Sequence, residues 1–332
     1  MSTLFGLNDV RPEALESARI AVLGYGSQGR AQALNLRDSG LDVHLGLRSD
    51  GSSWKEAETD NWTPVSVETA VVDADVVVVL VPDMAQPSVF ESVVAPNLKP
   101  GALLLFAHGF NVHYGLLNPG TEVDVALVAP KAPGQRVRHE YLYGRGVPAL
   151  LAVHQDATGH AQERALAYAH GIGSTRAGVL ETSFSEETET DLFGEQAVLC
   201  GGVTELVVAG FETLVDAGYN PEVAYFECLH ELKLIVDLLH EGGLARMHRF
   251  VSDTASFGDV TRGPQVVDAH VRRRLKDVLT EIQSGAFARE WCGEHSDGAN
   301  QFKDLVKADL AHPIETVGQR LRERMPWLKE AS

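Results

Sequence analysis

Apolar and polar residues follow two different rhythms along this 332-residue chain, and the change falls near residue 183. Before it, short apolar runs at 19–23, 41–47, 76–81, 101–107, 123–129 and 147–153 alternate with helix-length stretches such as 27–38 and 160–170. The run Val76-Val77-Val78-Val79-Leu80-Val81 is almost wholly β-branched, the mark of a parallel strand buried on both faces. Strands alternating with helices predict an α/β domain over residues 1–183, with 1–18 as a polar lead-in outside its core. From 184 to 332 the pattern is nearly continuous helix, which predicts a second, all-helical domain. Its first helix runs from about 187 to 217 and stops at Gly218-Tyr219-Asn220. Pro221 opens the next, which ends near residue 240 at Glu241-Gly242-Gly243. Residues 251–259 read as a small polar loop, and helices follow over 266–283, 286–291 and 300–328, the last interrupted at Pro313. Both long helices are more broadly apolar than surface helices, which implies packing against other helices or another subunit.

The first apolar run leads into Gly24-Tyr25-Gly26-Ser27-Gln28-Gly29 and then into a helical pattern. Strand, glycine turn and helix in that order form a Rossmann-like dinucleotide fingerprint. Gly24 allows the turn, Gly26 lets backbone approach a pyrophosphate, and Gly29 permits close helix–strand packing. The first turn of the helix then faces the phosphates with its amide groups. An NAD site usually ends the second strand in an acid that holds the ribose hydroxyls. Here the chain reads Gly46-Leu47-Arg48-Ser49-Asp50-Gly51-Ser52-Ser53. Arg48, Ser49 and Ser52 suit a 2′-phosphate through charge-assisted hydrogen bonds, so NADP(H) is favoured, and Asp50 leaves NAD(H) open. Ligands of open α/β sheets bind beyond the strand carboxyl ends, where His108 and Lys131 follow two of the apolar runs.

In the helical half, Asp191 and Glu195 stand four residues apart, on one helix face and one turn from each other. Their stripe continues to Val198 and Gly202, which read as core positions. Glu227 and Glu231 repeat the spacing in a stripe of Ala224, Glu227, Glu231, Leu234 and Leu238. Acids that interrupt an apolar face need a partner, because an unpaired buried charge is costly. Two such pairs suit hard divalent cations, which take oxygen ligands. Glu186, Glu187 and Glu189 read instead as solvated acids that favour a helix start.

Charge narrows the class. A formal net charge of −18 and a pI near 5.1 argue against nucleic acid or anionic membrane as partners and fit a protein that handles small molecules. Cys200, Cys228 and Cys292 lack metal-ligand spacing and read as reduced thiols. With no basic-then-apolar leader and no apolar run of membrane-spanning length, the expectation is a cytoplasmic protein.

Taken together, these blocks resemble ketol-acid reductoisomerase, the acetohydroxyacid isomeroreductase of branched-chain amino acid synthesis. The resemblance covers nearly the whole chain. It is carried by Gly24-Tyr25-Gly26-Ser27-Gln28-Gly29, by Phe106-Ala107-His108-Gly109-Phe110-Asn111, and above all by residues 186–202, EETETDLFGEQAVLCGG. Length and a single helical domain are similar to the short-form, class I group, whose helical domain is knotted. The resemblance implies two Mg2+ ions, with Asp191 bridging both, Glu195 completing the first, Glu227 binding the second and Glu231 close by. It implies Lys131 beside substrate and first metal, His108 ordering water or relaying protons, and Ser252 holding the substrate carboxylate. Gly134, just beyond Lys131, is grouped with the cofactor contacts. Glu227, Glu231 and Ser252 would come from a neighbouring subunit, so the minimum active unit would be a homodimer.

The implied reaction takes 2-acetolactate or 2-aceto-2-hydroxybutyrate through an alkyl shift and a hydride transfer to a 2,3-dihydroxy-3-methyl acid. Two stretches depart from the family's usual pattern. Pro130-Lys131-Ala132-Pro133-Gly134-Gln135 replaces Pro-Lys-Gly-Pro-Gly-His, and Ser252-Asp253-Thr254-Ala255-Ser256-Phe257-Gly258 replaces Ser-Asp-Thr-Ala-Glu-Tyr-Gly. They leave open a specialised paralogue acting on a related acid. A metal-independent β-hydroxyacid dehydrogenase has the same two-domain plan, and a nucleotide sensor without turnover is the reading from another class. Neither needs the paired acids.

Overall fold

The computed structural model describes residues 3–330, and the chain divides into two compact units, Met1–Thr188 and Glu189–Ser332. The first is built on one sheet of eight strands. They are β1 (Leu4–Phe5), β2 (Arg19–Leu23), β3 (Asp42–Gly46), β4 (Val76–Val79), β5 (Leu103–Phe106), β6 (Asp124–Pro130), β7 (Ala149–Gln155) and β8 (Val179–Glu181). Their spatial order is β1-β8-β7-β6-β5-β4-β2-β3. The run from β3 to β6 is parallel, β7 is antiparallel to β6, and β1 closes the far edge antiparallel to β8. Every residue of β4, β5 and β6 is buried, which is why those segments are apolar without alternation. Because β2 lies between β3 and β4, the chain leaves it in one direction and returns on its other side. A crevice opens at the carboxyl ends of β2 and β4, the place where such sheets bind ligands.

The lead-in contributes more than its sequence suggests. Leu4 and Phe5 pair with Leu180 and Val179, and Leu15 is buried in the core. A two-residue strand is too short to show alternation, and Leu15 sits in a short 3-10 turn with no helical period.

The second unit is helical. Phe184–Gly194 (which begins in the first unit), a five-residue π turn at Glu195–Leu199, and Gly201–Asp216 follow one another as one rod. This 33-residue helix is long and apolar enough to cross a membrane by length and composition, contrary to the sequence expectation. Its Val207 and Phe211 are packed in a protein core with Ala224, Tyr225, Ile314 and Val317. The next helix starts at Pro221, with Asn220 accepting from the amides of Glu222 and Val223. It holds a second π turn, Phe226–His230, and continues as Glu231–Phe250, with non-helical backbone at Gly242 and Gly243 where the sequence places a break. Residues 251–259 are not a loop. Ser252 accepts from the Ala255 amide and caps the helix Asp253–Val266; its small polar residues are helix-start residues as well as loop residues. Helices Ala269–Gln283, Ala286–Ser296, Asn300–Leu310, Pro313–Arg322 and Trp327–Glu330 complete the unit.

The stripes that carry the acids are not buried within one chain. Val198 is 54% exposed and Leu234 51%, so neither is a core position, and Leu199, Leu206 and Val236 are also exposed. The unit's own core is too small to cover both long helices.

Candidate active site

The glycine turn follows β2 and shapes the crevice. Gly24 has φ +100°, and a Cβ there would lie 2.6 Å from the Leu80 carbonyl oxygen at the end of β4. A side chain at Gly29 would collide with the Gly24 carbonyl, so this glycine lets the helix Ser27–Asp38 close on the turn itself. Around Gly26 a Cβ would meet nothing within 4 Å, which leaves room for a ligand against bare backbone. The cleft has a volume near 710 Å³ and is lined by Gly24, Tyr25, Gly26, Gln28, Arg48, Ser52 and His108, among others. That volume falls within the ~300–1,000 Å³ typical of small-molecule sites. Arg48 and Ser49 are exposed, and Ser52 opens the helix Ser52–Thr59. Ser27 and Gly134 meet each other: the Gly134 amide donates to Ser27 Oγ at 3.1 Å.

His108 and Lys131 follow the adjacent parallel strands β5 and β6, and Glu187 draws them together. Lys131 Nζ donates to Glu187 Oε1 at 2.9 Å, and His108 Nδ1 lies 3.1 Å from Oε2. The Gly109 amide also donates to Oε2, at 3.0 Å. A carboxylate only accepts, so Nδ1 carries the proton and the tautomer of His108 is set. Ser183 Oγ accepts from the Glu186 amide at the helix start, and Gly109 lets that helix approach, since a side chain there would collide with Thr188 Oγ1. Glu187 is therefore fully buried, not a solvated helix-start acid. Burial alone would raise its carboxyl, but the hydrogen bond and charge of His108 and the charge of Lys131 outweigh burial and hold it below the usual carboxylate range. No periodicity marks Glu187; the available signal is its place one turn before Asp191.

Asp191 lies one turn beyond Glu187 on the same helix, half-buried, and Glu195 opens the first π turn of the helical unit, a third lying at Phe90–Val94 in the first unit. Glu227 lies within the second π turn and Glu231 follows it, both exposed. π turns inside α-helices are rare and concentrate at functional sites. The two acid pairs do not meet within one chain. Cys228, next to Glu227, lies level with Gly210, whose Cβ would be 3.2 Å from its Sγ. From Glu195 to Gly210 the helix extends about 22 Å at ~1.5 Å per residue. Among the described residues no metal-sized cluster joins the pairs. Ser252 is exposed, its Oγ accepting from Ala255.

The departures from the family pattern have local explanations at two positions. The Ala132 methyl packs against a small cluster of Ala31, Val137 and Val147. Gln135 is exposed on the first turn of the helix Gly134–Leu142. Ser256 Oγ pairs with His248 Nδ1 at 3.2 Å, and Phe257 is exposed.

Comparison with known proteins agrees with this layout. Residues 14–178 match the model of the acetohydroxy acid isomeroreductase NADPH-binding domain, and residues 184–327 match that of the ketol-acid reductoisomerase C-terminal domain. A ketol-acid reductoisomerase (NADP(+)) of Xylella fastidiosa is 58% identical over 93% of this chain and 89% of its own length. One from Xanthomonas oryzae pv. oryzae is 56% identical over 97% of this chain and 95% of its own. The solved structure of an NADH-preferring ketol-acid reductoisomerase from an uncultured archean superposes with a TM-score of 0.95 at 44% identity, over 97% of this chain and 98% of that one. On fold, site and relatives together, the chain belongs to the ketol-acid reductoisomerase family.

Proposed function

We propose that this enzyme converts 2-acetolactate, or 2-aceto-2-hydroxybutyrate, and NADPH to the 2,3-dihydroxy-3-methyl acid in valine and isoleucine synthesis. The observation that carries the reading is Glu187. One buried carboxylate sets His108 and Lys131 at adjacent strand ends, with His108 lining the same cleft as the glycine turn. The cleft suits the dinucleotide, its pyrophosphate against the open backbone at Gly26 and the 2′-phosphate against Arg48, Ser49 and Ser52. NADPH is favoured over NADH by Arg48.

The donor set fits two hard cations: Asp191 and Glu195 from one chain, Glu227 and Glu231 from a second copy. Separation of the pairs within one chain and the open apolar faces of both long helices support a shared site in a homodimer. When bound, two Mg2+ ions supply Lewis-acid polarisation of the substrate's hydroxyl and carbonyl oxygens, and NADPH supplies hydride. The chain's own groups orient and move protons. Glu187 holds Nδ1–H of His108, so Nε2 is the atom that takes and returns the substrate hydroxyl proton. Lys131, fixed by the same carboxylate, sets the substrate's negative charge in place, and Ser252 holds its carboxylate. Three cysteines without disulfides suit a soluble enzyme of the reducing cytoplasm.

The test is NADPH oxidation with 2-acetolactate and with 2-aceto-2-hydroxybutyrate, with and without Mg2+. Turnover of either acid that stops on chelation is expected. Turnover undiminished by complete Mg2+ removal would replace this reading with a metal-independent dehydrogenase.

A further inference from the structure

The helix Ser27–Asp38 turns a polar stripe inward. Gln28, Gln32 and Asn35 recur at i, i+4 and i+7, and Gln32 and Asn35 are completely buried. The Gln28 and Gln32 amides form a connected set, while Asn35 Nδ2 donates to the Ile172 carbonyl at 3.1 Å. From the helix Ala161–Gly171, the buried Tyr168 hydroxyl donates to Gln32 Oε1 at 2.6 Å. Gln32 Nε2 donates to Gln28 Oε1 at 2.9 Å, and Gln28 Nε2 donates to the Ala132 carbonyl at 2.9 Å. The direction of this chain is forced from one end. A backbone carbonyl only accepts, so Gln28 must present nitrogen to it and oxygen to Gln32, which in turn presents oxygen to Tyr168.

We infer that Gln28 is a positioning residue for Lys131, tethering the loop that carries the lysine to the glycine-rich turn. Lys131 immediately precedes the tethered carbonyl. Two residues further on, the Gly134 amide binds Ser27 Oγ, and any side chain at Gly134 would collide with the Ser27 carbonyl. Ser27 and Gln28, the two residues between the second and third glycines of the fingerprint, thus both grip the loop 131–134. The lysine's own amide donates to Pro148 O at 2.9 Å, so its backbone is held on both sides. Gln28 lines the cleft, yet its amide is engaged by protein at both ends. A largely buried set in which each amide oxygen and nitrogen has a partner specifies one arrangement, which is what a lysine paired to Glu187 requires. The fingerprint therefore serves the catalytic lysine as well as the dinucleotide. This inference rests on the function proposed above, because it assigns Lys131 to the acid substrate.

The experiment compares wild type with Gln28→Met, Gln32→Met and the double variant. Three quantities are read: Kd for NADPH without Mg2+ or substrate, kcat/KM for 2-acetolactate, and deuterium exchange of peptides covering residues 129–136. Gln28→Met is expected to lower kcat/KM for 2-acetolactate about 10- to 100-fold, as displaced positioning groups do, while Kd for NADPH changes less than about threefold. Exchange over 129–136 should rise in parallel. Gln32→Met, away from the cleft lining, should shift exchange and kcat/KM in the same direction by less. The double variant removes both paired amides together, so no orphaned amide remains between them and only the Tyr168 hydroxyl and the Ala132 carbonyl lose partners. It should keep the Gln28→Met defect. Wild-type exchange and kcat/KM in the double variant would overturn the inference. So would a Kd for NADPH that rises as much as kcat/KM falls, which would make Gln28 a direct cofactor contact. A wild-type enzyme that binds NADPH but does not turn over 2-acetolactate would overturn the proposed function, and this assignment of Lys131 with it.

Discussion

The Tyr25 hydroxyl donates to Asp60 Oδ2 at 2.8 Å, joining the middle of the glycine turn to the far end of the helix whose first residue, Ser52, lines the same cleft. Trp62 Nε1 donates to that hydroxyl at 2.9 Å, and Arg30 grips both oxygens of Asp60 at 2.7 and 3.0 Å. The Arg30 hydrogen bond, ahead of the opposing effect of burial, holds the Asp60 carboxyl below its usual range. Burial first, and then the Asp60 bond, raises the Tyr25 hydroxyl far above the ordinary phenol. Two walls of the cleft are thus one braced piece. Tyr25→Phe strands the Trp62 donor and should cost about 1–2 kcal/mol of stability. It should also raise KM for NADPH more than KM for the acid; equal changes in both would show that the brace does not serve the cofactor.

Arg48→Ala is expected to weaken NADPH about 10- to 100-fold, the loss of a charged hydrogen bond, while leaving NADH nearly unchanged. Steady-state KM values for both cofactors check this. Equal losses would show that Arg48 does not read the 2′-phosphate.

Glu187→Gln removes the charge that binds both Lys131 and His108, and turnover should collapse while the fold survives. Breaking such a buried pair costs about 3 kcal/mol. The pH dependence has a definite sign. The folded carboxyl titrates below its unfolded value near 4.5, so its stabilisation is complete above about pH 4.5 and is lost as pH falls through the lower folded value. Chemical denaturation at pH 7, 5 and 4 should therefore show a wild-type advantage over Glu187→Gln that holds from 7 to 5 and shrinks below it.

Asp191→Asn and Glu227→Gln should each be inactive alone. Coexpressed at random they should recover about a quarter of wild-type activity, since half of the dimers are mixed and each mixed dimer keeps one intact site. No recovery would place all four acids of a site on one chain.

Much of the first unit was legible because its strands are buried on both faces, so that the β-branched run at 76–79 and the strand–glycine–helix order at 19–38 state their structure directly. Strand ends then pointed to His108 and Lys131. Glu187 was not legible. An acid in the first turn of a capped helix satisfies the dipole whether or not it is buried, and only Gly109, far away in sequence, admits the helix closely enough to bury it. Gln28, Gln32 and Asn35 were hidden for the same reason, because polar residues at helical spacing read as a wet face until their partners on other helices are known. In the helical unit the long rods and their stops were visible from Pro221, Gly218 and Gly242-Gly243. The apolar period could not say whether Val198 and Leu234 face their own chain or another.

Each of the two acid-bearing rods contains one turn of five residues where the regular count is fewer. That surplus residue acts as a phase shifter. Everything after it is rotated by about 100° relative to an uninterrupted α-helix, the angle per residue. Glu195 and Glu227 sit at the rotation itself, so a single-residue deletion in either turn would leave composition, length and hydropathy almost untouched. It would nonetheless swing the following apolar face away from its neighbour. A gap in either segment therefore reaches the whole face that follows it, where a substitution reaches one side chain.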